Sequence, residues 1–262
     1  MSLSQSGLAE TLAPIPWITS IHFFETLEST SHRARQMARE GATAGTLVVA
    51  DGQSGGHGRK GRPWFSPPGV NLYFSVVLRP ISLDPQHIPL ITLMAGVALC
   101  RGLQPLLGHR RATLKWPNDV LIDGNKVAGV LTEMSTTGRR VDYAILGVGI
   151  NVNQPVEMWP PDLRSKATSI YAATGEIRPR AHILFQVLSH LGAGYARLQR
   201  GERAECVAAW KRVSSTLGNR VHIRCGAEER TGIARDLDAT GALVIEQADG
   251  TWHTVSSGEM LG

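Results

Sequence analysis

The stretch LKWPNDVLIDGNKVAGVL, at residues 114–131, carries the clearest fold signal in the chain. Its Asp123-Gly124 pair separates two apolar runs, at residues 120–122 and 127–134. Asp-Gly between apolar runs is the strongest hairpin signal in the chain. The stretch therefore predicts an antiparallel β-hairpin, preceded by a polar run at residues 115–119.

Further regular elements are predicted on both sides of this hairpin. Upstream, Ser29-Thr30-Ser31 is a typical helix cap, and Gly41 is a typical helix stop. Hydrophobic periodicity distinguishes the helices from the strands. The predicted strands lie at residues 46–50, 71–78 and 141–149, and the predicted helices at residues 32–40, 88–106, 182–200 and 202–213.

The pattern changes in the last part of the chain. Short alternating runs separated by glycines occupy residues 220–224, 231–236, 242–246 and 251–255. Several brief strands with tight turns are typical of a small barrel or sandwich. We therefore predict three segments, namely an N-terminal extension at residues 1–20, a main domain at residues 21–215 and a small β-domain at residues 216–262.

The composition limits the class of protein. Hydrophobic residues make up 42% and charged residues 19% of the chain, which favours a globular over a disordered protein. A net charge of +5 favours anionic ligands but is modest for a protein devoted to nucleic acid. The three cysteines match no zinc or disulfide spacing, so we expect reduced, structural thiols.

The sequence also predicts where the protein resides. Residues 1–16 lack the basic and apolar regions of a secretory signal. The most apolar run, at residues 88–100, is shorter than the roughly 20 residues that span a bilayer. We expect a cytoplasmic protein that does not enter a membrane.

The sequence GGHGRKGRPW, at residues 55–64, is a candidate anion site. Residues 52–61 contain five glycines, which predicts a mobile loop whose N–H groups can approach a phosphate. Arg59, Lys60 and Arg62 add positive charge, and guanidinium groups bind phosphate oxygens through paired hydrogen bonds. The loop matches neither the Walker pattern nor the dinucleotide fingerprint. On composition alone, a solvated basic turn explains it equally well.

Three other motifs combine polar residues with glycine. The run Lys115-Trp116-Pro117-Asn118-Asp119 is explained either by turn chemistry or by a nucleotide with its Mg²⁺. Lys126 precedes Gly129, which would let a ligand lie against the strand, although most lysines near turns face solvent. The run at residues 147–153 lacks the third glycine of a dinucleotide loop and is explained by an ordinary strand end.

Taken in order, these motifs resemble those of the biotin protein ligases. The resemblance covers roughly residues 20–260 and rests on Glu28-Ser29-Thr30-Ser31, Gln53, the loop at residues 56–62, the run at residues 115–119, Lys126 with Gly129, and Gly149-Ile150-Asn151. It implies an α/β (α+β) fold in which helices flank a mixed β-sheet, similar to the core of class II aminoacyl-tRNA synthetases. It also implies that residues 21–215 form the biotin- and ATP-binding catalytic domain and that residues 216–262 form an SH3-like β-barrel.

The resemblance also implies roles for individual residues. Positions that match biotin-binding residues are Ser29, Thr30, Ser31, Gln53, Gly56, His57, Gly58, Arg59, Lys126 and Gly129. Positions that match ATP-binding residues are Arg59, Arg62, Trp64, Lys115, Asn118 and Asn151. The implied catalytic residues are Arg59, Lys126, Lys115, Asn118 and Asp119, and Asp119 is also the implied contact for Mg²⁺.

The implied enzyme forms biotinyl-5′-AMP and then transfers biotin to a lysine of a biotin carboxyl carrier protein. Biotin is the implied substrate, ATP and Mg²⁺ are the co-substrates, and no tightly bound cofactor is implied. Some relatives pair through their sheets, so the resemblance is compatible with a homodimer. Because only residues 1–20 precede the core, we expect no DNA-binding domain and no DNA partner.

Two positions depart from the usual residues of that family. His57 stands where another arginine is usual, so a permanent charge is replaced by a side chain that is mostly neutral at pH 7. Ser31 stands where asparagine is more typical. If position 57 acts through its backbone N–H, the first change has little effect; if it acts through its charge, the first change weakens retention of the adenylate.

Two other functions remain open at this point. A lipoate or octanoate ligase would use the same acyl-adenylate chemistry with an apolar tunnel, whereas the polar residues at 29–31 and 53 favour the ureido ring of biotin. A nucleic-acid-binding module would carry a basic stripe with interleaved aromatics, and the C-terminal segment offers little of that beyond Trp252.

Overall fold

The computed structural model of the chain describes residues 2–80 and 82–261. Across these residues the chain forms six α-helices and twelve β-strands. The helices are α1 Gln5–Leu12, α2 Thr30–Arg39, α3 Pro89–Leu103, α4 Ile170–Thr174, α5 Arg180–Gln199 and α6 Arg203–Lys211. The strands are β1 Ser20–Leu27, β2 Thr46–Gln53, β3 Leu72–Leu78, β4 Ala112–Lys115, β5 Asp119–Ile122, β6 Asn125–Thr137, β7 Arg140–Ile150, β8 Arg220–Cys225, β9 Glu228–Leu237, β10 Leu243–Glu246, β11 Trp252–Val255 and β12 Glu259–Met260.

The first seven strands form one mixed sheet in the order β1-β2-β3-β7-β6-β5-β4. Strands β1 and β2 are parallel, and every other neighbouring pair is antiparallel. The predicted hairpin is confirmed, since β5 and β6 pair across a turn in which Asp123 and Gly124 have φ of 50° and 82°. The expected mixed sheet flanked by helices is likewise confirmed.

Helices cover both faces of this sheet. Alternating side chains of β2 point to opposite faces, so Leu47 and Val49 pack into the main core while Val48 packs beneath α2. The main core also contains the apolar faces of α3 and α5. Helix α2 covers the other face only in part, and the uncovered remainder of that face carries the functional site.

The N-terminal segment belongs to the folded core. Helix α1 buries Leu8 and Leu12, and the Trp17 indole Nε1 donates a 3.0 Å hydrogen bond to the Leu188 carbonyl of α5. The Gln5 side chain pairs with the outer edge of β1, because its amide donates to the Ile21 carbonyl at 2.9 Å and accepts from the Phe23 N–H at 2.8 Å. The sequence motifs do not predict this helix.

Strands β8 to β12 form a second, fully antiparallel sheet in the order β11-β10-β9-β8-β12. This confirms the predicted small C-terminal β-domain. The sheet is fastened to the main domain by Trp116, whose side chain is 2% exposed. Its backbone N–H donates to the Thr216 hydroxyl at 2.9 Å, and its indole N–H donates to the Gly241 carbonyl at 3.2 Å.

The apolar helix α3 lies within the predicted helix at residues 88–106 and is flanked by 3₁₀ turns at Pro85–His87 and Gln104–Leu106. Within the described residues, the run Pro85–Leu106 is the one helical segment long and apolar enough to cross a membrane. However, 72% of its most apolar window is buried inside the protein, and packing against α5 and α6 accounts for its composition. All three cysteines are free, as expected, and burial raises the pKa of the Cys100 thiol to about 12.

Contact between Trp17 and α5 depends on Gly192. A Cβ atom at position 192 would collide with the indole ring of Trp17. Alanine is favoured over glycine by about 1 kcal/mol in a helix interior, but forcing extra atoms into a packed site costs about 1–3 kcal/mol. We therefore expect Gly192→Ala to lower the melting temperature, measured by differential scanning calorimetry, by at least about 2 °C.

Gly7→Ala is the matched control for this substitution. Gly7 also lies in a helix, and the nearest atom to its added Cβ is the hydroxyl oxygen of Ser4 at 3.1 Å. We expect its melting temperature to stay the same or rise. A Gly192→Ala protein as stable as the Gly7→Ala protein would show that the Trp17 contact does not constrain position 192.

Candidate functional site

A cavity of about 290 Å³ opens on the face of the main sheet that α2 leaves uncovered. It collects fifteen of the sixteen site residues that the sequence predicts. These residues are Ser29, Thr30, Ser31, Gln53, His57, Gly58, Arg59, Arg62, Trp64, Lys115, Asn118, Asp119, Lys126, Gly129 and Asn151. The sixteenth, Gly56, lies immediately behind the wall, and a Cβ there would approach Gln53 Nε2 to 2.8 Å.

Short polar side chains line the inner end of the cavity. Ser29 caps α2 by accepting a hydrogen bond from the His32 N–H, so Thr30 and Ser31 occupy the first turn of that helix. Gln53 ends β2 directly opposite, and its Oε1 accepts from the Thr30 N–H at 2.8 Å and from the Thr30 hydroxyl at 3.2 Å. The cap and the strand end thus form one hydrogen-bonded wall.

The glycine-rich loop forms a second wall. Its backbone is held by hydrogen bonds from the Gly55 N–H to the Glu28 carbonyl at 2.8 Å and from the Trp64 N–H to the Gly56 carbonyl at 2.8 Å. Residues Arg59–Gly61 make a single 3₁₀ turn in which Lys60 has a φ of 57°. His57 lies on this wall with Nδ1 3.4 Å from the Gly55 carbonyl oxygen.

A lysine–carboxylate ion pair and an arginine line the cavity together. The Lys126 ammonium lies 2.6 Å from Asp119 Oδ1, and both residues belong to the β5–β6 hairpin. Arg59 reaches the same region from the loop. Burial lowers the pKa of its guanidinium, the charge of Asp119 opposes this shift, and Arg62 adds to it. Arginine's ordinary pKa is so high that the group stays charged.

Trp64 lies flat against the floor of the cavity. Its indole covers Gly149 so closely that a Cβ there would approach the indole Nε1 to 2.5 Å, and a Cβ at Gly129 would approach the ring to 3.0 Å. The Lys126 ammonium sits 5.1 Å from the ring centroid, within the range of a cation–π contact. The two glycines are therefore required by the aromatic ring that packs on them.

Residues 115–119 divide into structural and cavity-facing members. Trp116 is buried and joins the two sheets, as described above, whereas Lys115 faces the cavity from the end of β4. The Asn118 amide donates to the Val130 carbonyl at 2.8 Å and so fixes the start of β5 against β6. Asn151 acts similarly at the end of β7, where its amide donates to the Thr168 carbonyl at 3.0 Å.

Two cavity-lining residues of the C-terminal sheet region, Gly258 and Glu259, are not predicted by the sequence motifs. Arg59 donates a 3.1 Å hydrogen bond to the Gly258 carbonyl, and Arg62 forms an ion pair with Glu259, which also lies 4.0 Å from the Lys60 ammonium. The C-terminal sheet thus holds the glycine-rich loop. A single acidic residue in a two-residue strand gives no local signal of such a contact.

The irregular stretch after β7 supplies the remaining side of the cavity. Its cavity-lining residues are Trp159, Leu163, Lys166 and Ala167. The chain is held in place where the Lys126 N–H donates to the Lys166 carbonyl and the Thr168 N–H donates to the Lys126 carbonyl, both at 2.9 Å. Weak periodicity in this stretch gives no indication that it approaches the hairpin.

Metal-binding potential at the site is confined to single carboxylates. Among residues 2–80 and 82–261, no group of three His, Cys, Asp or Glu side chains is arranged to hold a metal ion. Mg²⁺ binds readily through one carboxylate and several phosphate oxygens. The donor set therefore fits a Mg²⁺ ion that enters with a nucleotide and does not fit a resident metal centre.

Two family models match the chain. Residues 23–151 match the biotin/lipoate A/B protein ligase family, and residues 216–261 match the biotin protein ligase C-terminal domain. The bifunctional ligase/repressor BirA of Bacillus subtilis is 35% identical over 92% of this chain and 73% of its own length. The biotin--[acetyl-CoA-carboxylase] ligase of Mycobacterium tuberculosis is 33% identical over 83% of this chain and 79% of its own length.

Solved structures agree with these matches. Biotin protein ligase from Aquifex aeolicus, in complex with biotin and ATP, superposes with a TM-score of 0.80 at 30% identity. The alignment covers 93% of this chain and 98% of that one. Biotin protein ligase from Leishmania major, in complex with biotinyl-5-AMP, superposes with a TM-score of 0.64 at 27% identity. By sequence and by fold, the chain belongs to the biotin protein ligase family.

Proposed function

We propose that this protein activates biotin with ATP as biotinyl-5′-AMP and transfers the biotinyl group to a lysine of a biotin carboxyl carrier protein. The observation that carries the proposal is that Arg59 lines the same cavity as the Lys126–Asp119 ion pair. One cation comes from a glycine-rich loop and the other from a rigid hairpin. Such a pair suits a reaction in which two anions must be brought together.

Chemistry at the inner wall supports biotin over lipoate as the acid. The hydroxyl groups of Ser29, Thr30 and Ser31 and the amide of Gln53 surround the inner end of the cavity. A ureido ring carries N–H donors and a carbonyl acceptor that such groups can bind, whereas a lipoyl or octanoyl chain would leave their remaining donors and acceptors unpaired. An unpaired buried polar group costs about 1–3 kcal/mol.

In the first step, a carboxylate oxygen of biotin attacks the α-phosphorus of ATP and pyrophosphate leaves. Arg59 and Lys126 would reduce the repulsion between the carboxylate and the phosphate and hold the two in line. Asp119 would lose its ion pair with Lys126 when the substrates bind, which would free its carboxylate for the Mg²⁺ that accompanies ATP. The mixed anhydride remains in the cavity.

The nucleotide would occupy the side of the cavity bounded by Trp64, Lys115 and Asn151. Trp64 offers a ring face for stacking on adenine. The amide nitrogen of Asn151 is already bonded to the Thr168 carbonyl, so its free oxygen would accept a hydrogen bond from an adenine amino group. Asn118 is fixed in the same way, and Arg62 and Lys115 would contact phosphates.

In the second step, the amine of the acceptor lysine attacks the carbonyl carbon of the anhydride, an amide bond forms and AMP leaves. Hydrolysis competes with this step, so exclusion of water by the glycine-rich loop would raise the yield. The acceptor that the family implies is a biotin carboxyl carrier domain of a carboxylase. A cytoplasmic location completes the proposal, which is compatible with a homodimer, and DNA is not proposed as a partner.

Removal of either converging cation tests the chemical assignment. We expect Arg59→Ala and Lys126→Ala each to lower biotin-dependent exchange of labelled pyrophosphate into ATP by at least about tenfold, equivalent to about 1.4 kcal/mol in the barrier. The control is Arg110→Ala, which removes a cation that pairs with Asp123 at 2.9 Å and does not line the cavity. Wild-type exchange in both cavity variants would refute the assignment.

Closure of the glycine-rich loop can be followed by limited proteolysis. Without ligands, trypsin should cut after Arg59 or Lys60, and biotin with ATP should slow this cleavage at least about threefold because the loop then covers the adenylate. Glu259→Gln weakens the ion pairs that hold Arg62 and Lys60, so it should speed cleavage of the ligand-free protein. Equal cleavage rates with and without ligands would contradict closure.

A further inference from the structure

A buried serine lies directly behind the wall that faces the proposed biotin head group. Ser75, in the middle of β3, is fully buried and is not among the residues that line the cavity. Its hydroxyl lies 2.9 Å from the Thr30 hydroxyl and 3.0 Å from the Ser31 hydroxyl. No motif in the sequence singles out this residue.

Space for this hydroxyl group is provided by a glycine. Gly147 of β7 is the direct neighbour of Ser75 in the sheet. A Cβ at position 147 would collide with the Ser31 hydroxyl and would lie 3.5 Å from the Ser75 hydroxyl. Helix α2 can therefore bring Ser31 down onto the sheet only because residue 147 has no side chain.

The direction of each hydrogen bond in this wall is fixed from the loop side. The Ser66 hydroxyl donates to the Trp64 carbonyl at 2.8 Å, so its oxygen accepts from the Gln53 amide nitrogen at 3.1 Å. The Thr30 N–H can only donate, which places the amide oxygen of Gln53 next to Thr30. The Thr30 hydroxyl must then donate to that oxygen as well.

Counting the available protons also gives the hydrogen-bond directions of the remaining two hydroxyl groups, those of Ser75 and Ser31. Because the Thr30 hydroxyl proton is used on Gln53, Thr30 accepts the proton of Ser75. A serine hydroxyl has one proton to donate. Ser75 therefore has none left for Ser31, and the hydrogen bond between these two residues must be donated by Ser31.

Because the directions of these hydrogen bonds are fixed, the donors and acceptors that remain for a ligand are also fixed. Ser31 and Thr30 have used their protons, so among the described residues they can only accept, Thr30 through one lone pair and Ser31 through two. Gln53 keeps a second amide hydrogen, and Ser29, which accepts from His32, keeps its hydroxyl proton. Two acceptors and two donors remain.

These groups match a cyclic urea in number and kind. A ureido ring has two N–H donors and one carbonyl oxygen with two lone pairs. The acceptors Ser31 and Thr30 suit the N–H groups, and the donors Ser29 and Gln53 suit the carbonyl oxygen. Fixed hydrogen-bond direction lowers the cost of organising the site around its ligand.

We infer that Ser75 is a specificity-determining positioning residue: because its single proton is donated to Thr30, Ser31 must donate to Ser75 and therefore presents an acceptor to a ureido N–H group of biotin. The inference rests on the proposed function. Without the Ser75 hydroxyl, Ser31 loses its acceptor and its own proton turns toward the cavity, where it opposes a ureido N–H. The asparagine-to-serine departure at position 31 is thereby coupled to Ser75 and Gly147.

The test is Ser75→Ala, with biotin affinity measured by isothermal titration calorimetry without ATP. We expect the dissociation constants of biotin and of desthiobiotin, which keeps the ureido ring without the thioether ring, both to rise at least about fivefold. The KM for ATP in pyrophosphate exchange should stay within about twofold of wild type, because the altered groups face the ureido ring. Ser75→Cys, with a weaker donor of similar shape, should give an intermediate loss.

Thr92→Val is the matched control. The Thr92 hydroxyl donates a 2.8 Å hydrogen bond to the Thr132 hydroxyl between α3 and β6, and neither residue lines the cavity. The Thr92→Val substitution should leave the biotin dissociation constant unchanged. Biotin affinity within twofold of wild type in Ser75→Ala, or an equal loss of ATP affinity, would overturn the role of Ser75. A wild-type protein without biotin-dependent exchange would instead overturn the proposed function.

Discussion

The ion pair between Asp119 and Lys126 is the constraint on which the site depends. It spans the β5–β6 hairpin at 2.6 Å and holds a lysine ammonium at a fixed height above the floor of the cavity. The carboxylate thus holds the ammonium in position within the cavity.

Much of the fold around the site could be predicted because it depends on patterns of residues that are close together in the sequence. An Asp-Gly turn between apolar runs fixes the hairpin, a serine before a helix fixes the cap, and clustered glycines mark a loop. The order of the motifs along the chain then identified the family. Residues predicted from these local patterns, such as Gly56 and Lys126, lie next to or at the cavity.

Long-range contacts could not be predicted in the same way. Trp116 belongs to a conspicuous polar run, yet it is buried between the two sheets and its hydrogen bonds reach Thr216 and Gly241. Glu259 and Ser75 give no local signal, because their partners lie far away in sequence. Helix α1 was missed because its apolar positions are few, and its burial depends on α5.

The amide of Gln5 has a consequence for how the molecule meets its own copies. A sheet's outermost strand presents unpaired N–H and carbonyl groups, and these recruit strands from other chains unless something covers them. Here the side chain of Gln5 imitates a neighbouring strand and occupies the pairing groups of Ile21 and Phe23. Pairing of a strand from another copy with β1 is therefore disfavoured at these residues. Self-association would have to use a different part of the surface.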